Sequence, residues 1–196
     1  MEKSLSKGIK GRKWIREGNM DIWIPSEIGY VVSHRYRHFP PPCHYPVFER
    51  ITGGGTVILS PSTLIVDVVV SSTHKDNTLQ SVVEALNHTV GKRTFYIGKE
   101  WPDILHRPTH KKIGGTSFYH RKNITFISMS ILLRRDIINI IERCLPYPDK
   151  APLHRKNRSH KEFLISLEEI TLFSLRDLVY TLISSLKSPL SYLPPT

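Results

Sequence analysis

The sequence predicts an α+β domain built on one mainly antiparallel or mixed sheet flanked by helices. Three observations carry that expectation. Short β-like runs bounded by turn residues fall into two groups, one apolar stripe at helical period lies between them, and helical stretches close the chain. A chain of 196 residues, 39% of them hydrophobic, fits one domain with a real core and excludes disorder along its whole length.

Residues 1–19 are basic and lack apolar periodicity, so they read as an arm ahead of a domain over 20–196. Ile28–Val32 is a short β-like run; the segment His34–Pro46 after it holds Pro40-Pro41-Pro42, which excludes a helix there. Pro46–Arg50 reads as a second strand, feeding the glycine run Gly53-Gly54-Gly55. Thr56–Leu59 and Thr63–Val70 follow as a hairpin pair, the second rich in Val and Ile as a buried strand is. Leu79, Val82, Val83, Leu86 and Val90 then share one helical face, with Asp76 or Asn77 as the cap and Gly91 past the end. Strands are expected at Arg93–Ile97, Lys112–Tyr119 and Ile124–Leu132, and a helix at Arg135–Cys144. Beyond a polar loop over 145–158, Ser159-His160-Lys161-Glu162 spells a capping box for a short helix. A last amphipathic helix over Ser174–Leu186 is expected to end before Pro189.

The net charge of +11, from 28 Lys and Arg against 17 Asp and Glu, implies attraction to polyanions or to an acidic partner and says nothing of fold. Nucleic-acid binding is disfavoured: the chain has no zinc-finger spacing, no RNP-like aromatic motif and no basic region followed by heptads. The longest apolar runs are too short to span a bilayer, and the basic N-terminus lacks the apolar stretch of a secretory signal. Two cysteines, Cys43 and Cys144, make no disulfide framework, which suits a reducing cytoplasm. His34, His38, Cys43 and His44 crowd one segment, but the prolines rule out a helical His pair and the spacing is not that of a zinc site, so no metal centre is expected.

Two glycine-rich stretches carry the chemistry. In Arg50-Ile51-Thr52-Gly53-Gly54-Gly55-Thr56-Val57, three glycines between strands let the backbone approach a ligand and turn its N–H groups on phosphate or carboxylate oxygens. Arg50 would add a cationic fork, although glycines alone also serve in a plain tight turn. In Lys112-Ile113-Gly114-Gly115-Thr116, a lysine above a glycine floor can neutralise a phosphate and a carboxylate oxygen together, the charge pattern an acyl-adenylate requires; an exposed basic hairpin is the simpler alternative. Asp103, in a β-like stretch nine residues upstream, can orient an amine or hold a metal ion, or merely form a turn.

In order and spacing, Arg50, Gly53-Gly54-Gly55-Thr56-Val57, Asp103 and Lys112-x-x-Gly115 resemble the active-site series of the lipoate–protein ligase A family, which shares its fold with octanoyltransferases and biotin–protein ligases. The run Leu145-Pro146-Tyr147-Pro148 with Arg158–Leu164 resembles a segment of a subset of these proteins. The resemblance implies a ligase-like catalytic domain over 20–196 without the accessory C-terminal domain, which a separate chain could supply. It implies that lipoate is activated with ATP and Mg²⁺ to lipoyl-adenylate and passed to a lysine of a lipoyl carrier domain, commonly acidic. Lys112 would hold the acyl carbonyl and phosphate and Asp103 would sit near the attacking amine or the metal. Arg50, Gly53, Gly54, Gly55, Thr56, Gly115 and Thr116 would line the substrate and ATP pocket.

Several positions depart from the family pattern. Glu49 stands where the first of two arginines is usual, Leu59-Ser60 where a His often follows the glycines, Trp101-Pro102 where a Gly or Asn turn precedes the aspartate, and Ser128-Met129 where His-Gly is expected. Two alternatives therefore stay open. One is octanoyl transfer from acyl carrier protein, which needs a thiolate; Cys144 falls at a helix C-terminus, where the dipole opposes one. The other is a non-catalytic member that binds an acyl cofactor or a lipoyl domain.

Overall fold

A computed structural model describes residues 6–7, 11–17, 19–33, 41–148 and 150–190. It is an α+β domain with eleven strands in two sheets: β1 Ser6–Lys7, β2 Gly11–Glu17, β3 Met20–Pro25, β4 Gly29–Ser33, β5 Val47–Arg50, β6 Val57–Leu59, β7 Thr63–Ser71, β8 Phe95–Ile97, β9 Ile104–His106, β10 Lys111–Arg121 and β11 Ile124–Leu132. The helices are α1 Lys75–Val90, α2 Asp136–Cys144, α3 His160–Phe163 and α4 Leu175–Leu190.

The larger sheet runs β2-β3-β7-β11-β10-β9-β8, antiparallel throughout. Its register alternates two faces. Leu64, Val66 and Val68 of β7 and Ile127, Met129 and Ile131 of β11 point at α1 and α4, whose Leu79, Val82, Leu86, Leu178 and Leu182 close the main core. The opposite face carries Trp23, Ile65, Asp67, Ser128, Ser130, Gly115 and Ser117. Part of it packs on the smaller sheet, β1-β5-β4-β6, through Trp23, Ile65, Val31 and Leu59. The far side of β4 and β6, Tyr30 and Ile58, is buried by Ile137, Ile138 and Ile141 of α2 and by Phe163. All five residues of β4 are buried because this strand has a layer on each face.

Several local expectations change. β6 and β7 are not a hairpin: β6 pairs with β4 in the small sheet and β7 with β3 and β11 in the large one, so residues 60–62 carry the chain between layers. Gly11–Glu17, within the stretch read as an arm, forms the edge strand β2 against β3. Helix α1 begins two or three residues early, after a 3₁₀ turn at Ser72–His74, so Asp76 sits inside its first turn and no side chain caps it. Gly91, at φ 70°, ends it as expected. Helix α4 runs on through Pro189 to Leu190. The capping box at α3 forms, with Ser159 accepting from the Glu162 N–H and the Glu162 carboxylate accepting from the Ser159 N–H.

The cysteines also differ from expectation. Cys43 and Cys144, 101 residues apart, are bonded to each other, and Cys144 is wholly buried. The Tyr30 hydroxyl lies beside the cross-link, donating to the Cys144 carbonyl at 2.8 Å and accepting from the Cys43 N–H at 3.2 Å. Burial pushes the Tyr30 phenol above its usual value.

Candidate functional site

Strand β10 organises the site through a bulge. Its register with β9 shifts between Lys112, opposite Leu105, and Gly114, opposite Ile104. Ile113 and Phe118, five residues apart, therefore both reach the main core, and Lys112 is turned to the opposite face with Gly115 and Ser117. The Lys112 main chain is held from both sides, by Leu105 and by Ile165, whose N–H donates to the Lys112 carbonyl at 3.0 Å.

The Lys112 ammonium sits 2.7 Å from Asp103 Oδ1 and directly above Gly115. A Cβ on Gly115 would lie 3.0 Å from Lys112 Nζ and 3.1 Å from Cε, so the glycine is what lets the lysine fold down on the strand. Asp103 is 5% exposed, and its other oxygen, Oδ2, lies 3.2 Å from His154 Nε2. Burial works to raise the Asp103 pKa, but the Lys112 ammonium and the hydrogen bonds from His154 and Lys112 outweigh it, and the net shift is downward. Thr116 fixes the approach of this loop by donating to the Pro102 carbonyl at 2.8 Å.

The depressed pKa has a measurable consequence. Stability contributed by ionised Asp103 is fully present above its unfolded value near 3.8 and is lost as pH falls through the lower folded value. Between pH 6 and pH 3, Asp103→Asn should therefore lose less of its urea midpoint than wild type does. Parallel losses would mean that other carboxylates carry the acid sensitivity.

The glycine run lies against the same strand. β9 ends early, leaving the β10 edge beyond Gly114 without a strand partner on that side; there the Gly53 N–H donates to the Phe118 carbonyl at 2.9 Å. Ser117 Oγ donates to Thr52 Oγ1 at 2.9 Å, and a Cβ on Gly54 would be 4.0 Å from that of Ser117. Gly54 has φ +96°, a conformation that favours glycine. Gly53, Gly54 and Gly55 are exposed and Thr56 is half-buried. Since Ser117 and Gly115 are two residues apart on one strand face, the glycine loop and the lysine are separated by roughly 7 Å of strand.

Arg50, 8% exposed, closes the loop by donating from Nη2 to the Gly55 carbonyl. Its Nε is buried without a hydrogen-bond partner, and among the described residues no carboxylate pairs with it. Burial pulls its pKa down from the usual guanidinium range to about 10. A buried cation beside an exposed glycine loop is a cradle for an anionic ligand.

Thus Arg50, Gly53, Gly54, Gly55, Thr56, Asp103, Lys112 and Gly115 lie along or beside one face of β10, whereas Thr116, opposite Met129, belongs to the core-side face and joins the site through its bond to the Pro102 carbonyl. The sequence reading missed His154, on a 3₁₀ turn at Leu153–Arg155, and the polar pair Thr52 and Ser117. No spacing rule ties His154 to Asp103, 51 residues away. Of the histidine-rich segment, His34 and His38 fall outside the described residues. Among the described residues no group of three His, Cys, Asp or Glu could hold a metal ion. Asp103, with both oxygens engaged, makes no protein cage for Mg²⁺, which binds through few carboxylates plus phosphate oxygens and water. A groove of about 790 Å³ between α1 and β8, lined by His88, Arg93 and Arg107 among others, contains none of the site residues.

The lipoyl protein ligase A/B catalytic domain family matches residues 41–187, the stretch that holds all these side chains. The chain belongs to that family. Among solved structures, it resembles a bi-partite lipoate protein ligase from Thermoplasma acidophilum, solved in a study with its E2 lipoyl domain, at TM-score 0.67 and 18% identity over 83% of this chain and 68% of that one. A lipoate-protein ligase A bound with ATP gives TM-score 0.67 and 17% identity over 83% and 69%. LipL1 of P. falciparum in complex with lipoate gives 0.69 and 15% over 93% and 53%, so this chain spans about half of that protein. A comparison with curated protein sequences found no match. At these identities the structural likeness establishes a lipoyl protein ligase A/B fold, and membership makes the chain a ligase- or transferase-type protein.

Proposed function

We propose that this protein activates lipoate with ATP to lipoyl-adenylate and transfers the lipoyl group to a lysine of a lipoyl carrier domain. The observation that carries the reading is the pairing, on one face of β10, of a lysine folded over Gly115 with a glycine loop closed by a buried arginine that meets no carboxylate among the described residues. In the first step the lipoate carboxylate attacks the α-phosphorus of ATP and pyrophosphate leaves. The Arg50 fork and the loop N–H groups offset charge on the phosphates, and Lys112 lies between acyl carbonyl and α-phosphate, where charge develops. In the second step the acceptor amine attacks the acyl carbonyl and AMP leaves with the bonding pair. Asp103, held ionised beside Lys112, is suited to orient that amine, whose proton leaves to solvent. Mg²⁺, arriving with the triphosphate, would offset phosphate charge.

Octanoyl transfer draws less support, because the cysteine it would use, Cys144, is buried and disulfide-bonded. The test is the intact mass of an apo lipoyl domain incubated with the protein, lipoate, ATP and Mg²⁺, beside a tube offering octanoyl carrier protein without ATP. A lipoyl-sized gain that requires ATP is the expected outcome. Gain in the octanoyl tube alone would make the protein a transferase, and gain in neither, with folded protein, a non-catalytic binder.

A further inference from the structure

Two loops meet above Asp103, and what they expose is unusual beside a polar site. The 99–103 loop and the 145–158 loop are stitched together, the Leu153 N–H donating to Glu100 at 2.9 Å and His154 bonding Asp103, while Arg158 ties the second loop to the β9–β10 turn by donating to the His110 carbonyl at 2.8 Å. Arg155, 4% exposed, locks the second loop from within, its guanidinium between the rings of Tyr147 at 4.5 Å and Phe163 at 5.2 Å. On this rigid base Leu153 is 80% exposed, Tyr147 48% and Trp101 41%. Leu153 and Trp101 are the immediate neighbours of the Glu100 contact, so both flank the entrance to the Asp103–Lys112 pair.

The ground around these apolar side chains is strongly basic. Residues 99–112 and 145–161 hold nine Lys and Arg against three carboxylates, and Lys99, Lys150 and Lys156 are exposed. An apolar centre with an aromatic anchor inside a charged rim is the anatomy of a protein-docking surface. A nucleic acid would use the rim and leave Leu153 idle; a small acidic protein domain uses both.

We propose that Trp101, Tyr147 and Leu153 form the apolar centre of the surface on which an acidic protein domain docks to present its acceptor lysine to the Lys112–Asp103 centre. This assignment rests on the acyl-transfer reading for the identity of the partner. The docking geometry follows from the position of the patch: a domain seated on Leu153 and Trp101 covers the mouth of the site and brings a lysine over Asp103 while excluding water.

The test uses the full chain and an apo lipoyl domain of net negative charge as the probe, with binding followed by calorimetry at two salt concentrations. Leu153→Ser and Trp101→Ser remove apolar area from exposed positions without touching the core. Each should weaken binding about tenfold, as expected for anchor residues, and Lys150→Glu should weaken it and reduce its salt dependence. Pyrophosphate release from lipoate and ATP, measured without the domain, should be unchanged in both serine variants. Serine variants that bind as wild type does, or a wild-type chain that does not bind the domain, would overturn the docking surface. Absent pyrophosphate release in wild type would overturn the acyl-transfer reading and leave the binding data to judge the surface on their own.

Discussion

Lys112→Ala is expected to lower ATP-dependent lipoyl transfer by about 100- to 1,000-fold, the cost of removing one preorganised group aimed at developing charge. The effect has two parts. The ammonium that would face the α-phosphate disappears, and Asp103, which is 5% exposed and held below the usual carboxylate range, is left as an anion beside an anionic substrate. The double variant Lys112→Ala/Asp103→Asn separates them: it should recover the part due to repulsion and none of the part due to lost stabilisation. Lys112→Arg should not rescue, because Lys112 acts as a point charge folded down on Gly115 against Asp103, and a larger planar guanidinium does not reproduce that contact. Initial rates of pyrophosphate release at saturating lipoate and ATP are the measurement. A rate for Lys112→Ala within threefold of wild type would remove the lysine from the chemistry, whatever its geometry.

How much of this arrangement was legible in the sequence depended on whether a local pattern carried it. The α1 stripe, the strands β7, β10 and β11, and the capping box at Ser159 are written in periodicity and in one four-residue motif, and they form where expected. The β10 bulge was also legible in principle: Ile113 and Phe118 can share a core only if the alternation slips once between them, and Gly114-Gly115 marks the place. The layer crossing at residues 60–62 was not legible, since a short turn between two apolar runs fits a hairpin equally well and only the pairing partners β4, β3 and β11 decide. His154 was invisible for a related reason. Its place is set by the packing of Arg155 between two rings and by the Leu153–Glu100 bond, the latter made across 53 residues of chain, and no local pattern encodes either.

The cysteine pair shows the same limit with larger consequences. Cys43 precedes β5 and the glycine loop, while Cys144 ends α2 and leads into the loop that carries His154, so the bond ties the two halves of the site together. Reduction should lower folding stability by up to about 4.7 kcal/mol, the chain-entropy value for closing a loop of about one hundred residues. The Cys144 side of the link is buried against Tyr30, Ile137 and Ile141, where the chain is well packed without it. Tyr30 also bridges the two cysteine main chains by hydrogen bonds that survive reduction. The measured loss should therefore fall below the entropic figure, and the Cys43→Ser variant should match the reduced wild type. Urea midpoints with and without a dithiol provide the comparison. Hydrogen exchange gives the sharper reading, since fraying should begin at 41–46 and 145–152, the segments the link anchors, before β10 or α1 loosens. A reduced chain that keeps its midpoint and its protection at 145–152 would assign the anchoring to Tyr30 and the α2 isoleucines alone.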